Sequence, residues 1–317
     1  MMFSLANLQA TAQFLSPILA PTPTIAWPLL RVRYGAEVWV KHENHLPTGA
    51  FKVRGGLVYL DRLQSEQPAL AGVITATRGN HGQSIGFAAA RLGVRAVIVV
   101  PHGNGREKNA AMQALGVELV EQGHDFQAAR EYAIARAAAE GLHLIPSWHP
   151  DLVRGVATYG IEWFRAGPEL DTVYVPIGMG SGICGVIAAR DALGLTTRVV
   201  GVVSEGAPAY ALSFAKGEVV TTACADTIAD GIATRSPDPQ ALAMIRRGAE
   251  RLVTVSDAGI REAMRACFSD IHQVAEGAGA AGFAALAVER EAMRGKRVGV
   301  VLSGGNVDRE LYAEVLR

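Results

Sequence analysis

The stretch Thr172-Val173-Tyr174-Val175-Pro176-Ile177-Gly178-Met179-Gly180-Ser181-Gly182-Ile183-Cys184-Gly185 decides what kind of chain this is. From Thr172 to Ala189 no residue is charged, almost the length of a membrane span. Pro176, Gly178, Gly180, Gly182 and Gly185 interrupt any such span, whereas a β-branched strand, a glycine turn and an apolar helix account for every residue.

Outward from this stretch the same alternation repeats. Short apolar runs at Gly72–Ala76, Ala96–Val100, Glu118–Glu121, Leu142–Pro146, Thr172–Ile177, Val199–Ser204 and Val298–Ser303 read as strands. Helical periodicity marks Gly82–Leu92, Glu107–Leu115, Asp125–Glu140, Gly182–Leu193, Asp257–Phe268 and Ala280–Ala292. The pattern predicts an α/β chain with parallel-rich twisted sheets flanked by helices. No repeat, low-complexity tract or long linker divides it. With 11 residues after Asn306, no separate C-terminal regulatory domain is expected.

Composition narrows the function. Of 317 residues, 50% are hydrophobic and 19% charged, which excludes a disordered chain. Lys+Arg and Asp+Glu both number 30, so no positive field favours nucleic acid or an anionic membrane. The cysteines, Cys184, Cys224 and Cys267, are odd in number and widely spaced, fitting neither a disulfide framework nor a zinc motif. The first charge is Arg31, and Pro17, Pro21, Pro23 and Pro28 precede or flank it, so the pattern of a secretory signal is missing. A cytoplasmic protein is expected.

Three glycine stretches each follow a strand and open a helix, where backbone N–H groups and the helix dipole favour anions. They are Thr77-Arg78-Gly79-Asn80-His81-Gly82-Gln83, Gly178-Met179-Gly180-Ser181-Gly182 and Ser303-Gly304-Gly305-Asn306. A crevice at the carboxyl ends of parallel strands would gather them. The middle one also matches a dinucleotide fingerprint, Gly180-Ser181-Gly182-Ile183-Cys184-Gly185, with Glu205 placed for a ribose, so an NAD-dependent dehydrogenase is one reading. The extra Gly178 lets the loop wrap the phosphate of a smaller cofactor instead. In Pro47-Thr48-Gly49-Ala50-Phe51-Lys52-Val53-Arg54-Gly55-Gly56, a lysine among glycines and apolar residues is desolvated, which lowers its pKa and suits it to imine formation; an ordinary surface lysine is the other reading.

Taken in order, Thr48 to Gly55, Gly79-Asn80-His81-Gly82-Gln83, the loop at 178–182, Thr227-Ile228-Ala229-Asp230-Gly231 and Ser303-Gly304-Gly305-Asn306-Val307-Asp308 resemble the motifs of one family. It is the pyridoxal-phosphate (PLP) enzymes of the serine/threonine dehydratase and serine racemase type, fold type II, also called the tryptophan-synthase β family. The resemblance runs from about Thr22 to the C-terminus. It implies two domains, a large PLP-binding one at 1–66 plus 147–317 and a small substrate-binding one at 67–146 inserted within it. It implies that Lys52 holds pyridoxal 5'-phosphate as a Schiff base and, once released, removes the substrate α-proton. Phe51 would pack on the cofactor, Asn80 would bond its 3-hydroxyl, Gly178, Met179, Gly180, Ser181 and Gly182 would cradle its phosphate, Gly231 would complete the site, and Ser303 would face the pyridine nitrogen. Thr77, Gly79, Asn80, His81 and Gln83 would lie on the loop that clamps the substrate α-carboxylate, with Arg78 among them as a further substrate-binding residue.

The sequence departs from that pattern in places. Arg78 stands where racemase-type relatives carry a serine acid/base, and arginine stays protonated, so racemisation is expected to be weak or absent. Its guanidinium suits an anionic substrate group. Ala50 replaces the usual serine before the lysine, and Met179 interrupts the usual glycine loop. Glu205 fits the first ligand of the divalent site found in relatives, but Ala211 occupies the second, so no metal is expected. His42-Glu43-Asn44-His45 is one residue short of a zinc-protease motif and reads as a loop.

The expected activity is that of a lyase dehydrating and deaminating a threonine- or serine-like 3-hydroxy amino acid to a 2-oxo acid and ammonia, with a homodimer implied by the relatives. Alternatives within the fold are a 3-hydroxyaspartate dehydratase, an aryl-serine (phenylserine) dehydratase, for which the small Ala50 leaves space, or a racemase. A non-catalytic binding protein on the same fold is the remaining alternative.

Overall fold

The computed structural model describes residues 3–317. Its strands are β1 (Thr24–Ala26), β2 (Glu37–His42), β3 (Val73–Ala76), β4 (Ala96–Val100), β5 (Glu118–Glu121), β6 (His143–Leu144), β7 (Thr172–Pro176), β8 (Arg198–Ser204), β9 (Arg251–Val255) and β10 (Arg297–Leu302). They form two sheets, one in the order β1-β2-β10-β7-β8-β9 and one in the order β5-β4-β3-β6. Among the described residues, β1–β2 is the only antiparallel pair of strands. The second sheet arises entirely between β2 and β7 of the first.

Both sheets are covered on both faces, as parallel sheets require. In β7 the alternation is strict: Tyr174 joins a core with Val200, Val300 and Phe283, while Val173 and Val175 point to a second core with Val199, Val301 and Trp163. In the smaller sheet Ile98 and Val100 pack with Leu57, Leu60 and Ile85, whereas Val97 and Val99 meet Ala129 and Ala133. The helix Val53–Glu66 lies between the helices Asn80–Leu92 and Pro150–Ala166. Glycines allow that approach. A Cβ on Gly55 would stand 2.7 Å from the Leu152 carbonyl oxygen and one on Gly155 2.3 Å from that of Arg54.

The expected strands and helices are present with ends moved by a few residues, except that Ala280–Ala292 is divided at Glu289 into the helices Gly277–Val288 and Arg290–Met293. Leu142–Pro146 contracts to His143–Leu144 because this edge strand pairs with β3 at two positions only. The pattern overlooked β1, β2 and β9. In β2, Glu37 and Lys41 break the apolar run, and Lys41 is nonetheless fully buried because Glu162 receives its ammonium at 2.7 Å. The helices Val53–Glu66 and Pro150–Ala166 were equally masked by internal charges.

The parts carrying the two sheets are joined by a reciprocal cap. Asp308 is the N-cap residue of the helix Arg309–Leu316 but leaves that helix uncapped, accepting instead from the backbone N–H of Arg106 (3.0 Å) and Glu107 (3.3 Å). Those residues open the helix Arg106–Gln113, and Glu107 Oε1 in turn accepts from Arg309 N–H at 3.3 Å. Each helix start is satisfied by a carboxylate from the other.

Candidate active site

The glycine loops emerge where parallel strands end: residues 177–180 after β7, 303–308 after β10 and 77–79 after β3. Since β2, β10 and β7 are parallel neighbours, the segment following β2, which leads to Lys52, reaches the same edge. The lysine segment is then zipped onto the loop after β10. Ala50 pairs with Gly304, Phe51 N–H donates to Ser303 O at 3.1 Å, and Gly305 N–H donates to Gly49 O at 2.9 Å. Gly49 sits at φ +65°, a conformation suited to glycine, and Asn306 occupies the space a side chain there would need.

A cleft of about 360 Å³ is lined by Phe51, Lys52, Asn80, Pro176, residues 178–182, Gly231, Ile232, Glu276, Ala278 and Ser303. Every expected cofactor-binding residue is there. Lys52 stays partly open to this cleft, yet the atoms around its amine push it down to about 8, with Glu276 working in the opposite direction. Its Nζ lies 5.4 Å from the centre of the Phe51 ring. The lysine carbonyl accepts from Ser84 Oγ at 2.6 Å, which ties it to the helix Asn80–Leu92.

At the other end of the cleft the helix Ser181–Ala192 begins on Gly180, at φ +98°, with no side-chain cap and no acidic residue in its first turn. Its first N–H groups are left for an anion. A Cβ on Gly178 would fall 2.3 Å from Gly231 O, and one on Gly182 would meet Phe51 at 3.3 Å. The backbone here is packed too closely for side chains.

The residues expected to bind substrate divide differently. Asn80 lines the cleft; Thr77 and Gly79 are buried on the loop before it, His81 and Gln83 are buried in the first turn of the helix Asn80–Leu92, and Arg78 is exposed. The Thr77 hydroxyl turns back into its loop, accepting from Gly79 N–H at 3.0 Å and Gly82 N–H at 3.4 Å. Burial, with Lys52 nearby, pulls His81 down to about 3, so its ring is neutral; His81 Nε2 and Gln83 Nε2 have no protein partner. Arg78 makes no ion pair among the described residues. Ala50 corrects one expectation: it is fully buried against Gly304 and does not line the cleft, so its small size opens no room for an aryl group.

Glu276 was missed. It is 2% exposed, and its Oε1 accepts from Asn80 Nδ2 at 2.6 Å. The signal was a lone acid in Val274-Ala275-Glu276-Gly277-Ala278, at the start of a Gly/Ala-rich helix. Glu43 was missed too. The segment 42–45 is the end of β2 and a 3-10 turn, and Glu43 is a buried partner of Arg54 at 2.8 Å, with Thr22 donating to it. Arg54 also meets Glu162 at 2.6 Å. Among the described residues no group of three His, Cys, Asp or Glu is placed to hold a metal. A larger open hollow of about 940 Å³ between Gln67–Ala71 and Ala137–His143 has His143 as its one titratable side chain and no acidic group.

The site joins an amine with lowered pKa, an uncapped helix start, an amide and a hydroxyl, donors that fit an aldehyde, a phosphate, a phenolic oxygen and a ring nitrogen respectively. Such a site on a parallel, two-sheet α/β frame defines a fold type II PLP enzyme. The comparisons agree: the model of the pyridoxal-phosphate dependent enzyme family matches residues 15–304, and the chain belongs to that family. An L-threo-3-hydroxyaspartate ammonia-lyase from a Pseudomonas species is 35% identical over 93% of this chain and 93% of its own length. The L-threonine ammonia-lyase of Thermotoga maritima is 30% identical, covering 99% of this chain and 78% of its own. Among solved structures, a pyridoxal 5'-phosphate-dependent aspartate racemase superposes with a TM-score of 0.91 at 30% identity, covering 97% of both chains. Membership of this family replaces the nicotinamide reading of the loop at 180–185.

Proposed function

We propose that this protein is a PLP-dependent ammonia-lyase that dehydrates and deaminates a 3-hydroxy amino acid, giving a 2-oxo acid and ammonia. The observation that carries the reading is the placement of the Lys52 amine, depressed to about 8, in one cleft with the uncapped helix start at Ser181 and the Ser303 hydroxyl. Bound there, the cofactor supplies an electron sink for the substrate α-carbon. The chain does the rest. Lys52 is partly unprotonated near neutral pH and takes the α-proton. Backbone N–H groups of residues 180–182 hold the phosphate. Asn80 would hold the ring oxygen, and Phe51 would lie against the ring. Ser303 would present a hydroxyl to the pyridine nitrogen and, unlike a carboxylate, would not hold it protonated, a setting that would suit loss of a β-substituent over transamination. The loop 77–83 takes the α-carboxylate, with the unpartnered nitrogens of His81 and Gln83 as buried donors.

In this reading residues 67–146 form the substrate-binding domain and 1–66 plus 147–317 the cofactor-binding one. The three unpaired cysteines support a reducing, cytoplasmic setting, and among the described residues no helix is long and apolar enough to cross a membrane. A homodimer is proposed by likeness to relatives alone.

One observation favours an acidic 3-hydroxy amino acid over threonine or serine: Arg78 is a cation without an ion pair, exposed beside Gly79 of the substrate loop. The names of relatives acting on 3-hydroxyaspartate support it. A panel of 3-hydroxy amino acids assayed for 2-oxo acid tests both readings. Activity on at least one member is expected, and Arg78→Ser should lower the acidic-to-neutral activity ratio by about tenfold, the worth of one charge-assisted contact. No 2-oxo acid from any member overturns the lyase reading; an unchanged ratio removes Arg78 as the selector.

A further inference from the structure

Lys108 enters the cleft region from the part of the chain that builds the smaller sheet, on the first turn of the helix Arg106–Gln113. It is 7% exposed, and its Nζ lies 2.5 Å from Asp230 Oδ2 and 3.4 Å from Glu276 Oε2. Its stem passes Gly79 so closely that a Cβ there would fall 2.7 Å from Lys108 Cδ. One side chain therefore touches three segments of the site: the loop 77–83, the turn before Gly231, and Glu276.

We infer that Lys108 is a positioning residue of the cofactor cleft: its ammonium holds the Glu276 carboxylate in place, so that Glu276 fixes the Asn80 amide against the cofactor. The inference rests on the cleft being the cofactor site and on no particular substrate. The Asn80 amide is held from both ends, its Nδ2 donating to Glu276 Oε1 at 2.6 Å and its Oδ1 accepting from Asn306 Nδ2 at 2.8 Å. That assigns the remaining Nδ2 hydrogen to the cleft and denies the amide its flipped orientation. The anchor is only as good as the carboxylate. Glu276 Oε2 has no hydrogen bond, and the charged groups facing it are Lys108, Asp230 and Lys52. Burial raises the Glu276 carboxyl, and Lys108 is the largest opposing influence; burial likewise lowers Lys108, yet Glu276 and Asp230 hold its ammonium above the ordinary value. Asp230 is one-third exposed and partly neutralised by solvent, so the buried pair that matters is Lys108 with Glu276. Without the ammonium, Glu276 becomes an unpaired buried anion facing an anionic cofactor, or takes up a proton as the pH falls.

The test titrates apoprotein with pyridoxal 5'-phosphate at about pH 6.5 and about pH 8.5, comparing each variant with the wild type at the same pH so that the cofactor's own ionisations cancel. Lys108→Met should weaken binding about tenfold at the higher pH and less than about threefold at the lower, because burial already raises the Glu276 carboxyl and loss of the ammonium raises it further, so that falling pH relieves the unpaired anion. In a Glu276→Gln background the same step should cost less than about threefold at both, and Lys108→Arg should restore binding. A loss that is independent of pH, or equal in both backgrounds, would reduce Lys108 to a prop for its helix and overturn the inference. Should Lys108→Met alone not fold, the double variant decides: it must fold and bind within about threefold of Glu276→Gln, and failure of either kind overturns the inference.

Discussion

Two residues beyond Lys52, Arg54 joins Lys41, Glu43 and Glu162 in a network of two cations and two anions. Every charge there has a close partner, and Thr22 and Thr158 take up further bonding capacity of Glu43 and Arg54. In the cleft, Lys108 faces two carboxylates, and one oxygen of Glu276 is left without a hydrogen bond. The first cluster is balanced and does not enter the influences on the Lys52 amine; the second is unbalanced and does. A saturated buried network fixes a helix in place, whereas an unsaturated one next to an ionisable nucleophile sets its chemistry.

Stability should separate them most sharply. Arg54→Met leaves Glu43 and Glu162 buried with too little compensation and should cost about 3–5 kcal/mol in denaturant unfolding of the apoprotein. A loss below about 1 kcal/mol would show the network to be dispensable and would erase the contrast. Glu276→Gln should cost much less, because the amide still accepts from Asn80.

Reactivity should separate them in the opposite sense. The neutral amine is the nucleophile, so the rate at which an amine-selective reagent modifies Lys52 in the apoprotein should rise with pH, reach half its maximum near about 8, and level off above that. A midpoint at the ordinary 10.5 would contradict the burial argument. Glu276 raises this pKa, so Glu276→Gln should move the midpoint further down, by about one unit or less. Glu43→Gln should leave it in place. The smallest effect on both stability and the cofactor belongs to Arg78→Ser, whose exposed side chain should change stability by less than about 0.5 kcal/mol while altering substrate preference.

Much of this was legible in the residue order. The glycine loops could be placed because strand, turn and helix each leave a local pattern, and those around β7 and β3 do so within a dozen residues. Lys52 stood out through its glycine and apolar neighbours. What escaped notice is long-range and polar. Glu43, Arg54 and Glu162 meet across more than 100 residues of chain, and nothing local marks a charge that will be buried by a partner so distant. Glu276 and Lys108 are 168 positions apart and joined only when the smaller sheet closes on the larger. Asp308 was quoted within a motif, but that it caps a different helix from its own appears only in three dimensions.

The account stands on where the cofactor is attached. Holoprotein reduced with borohydride and digested should yield one pyridoxyl-modified peptide, with the adduct on Lys52 and no other lysine. An adduct on Lys41, Lys108 or any other side chain, or none at all, would contradict it.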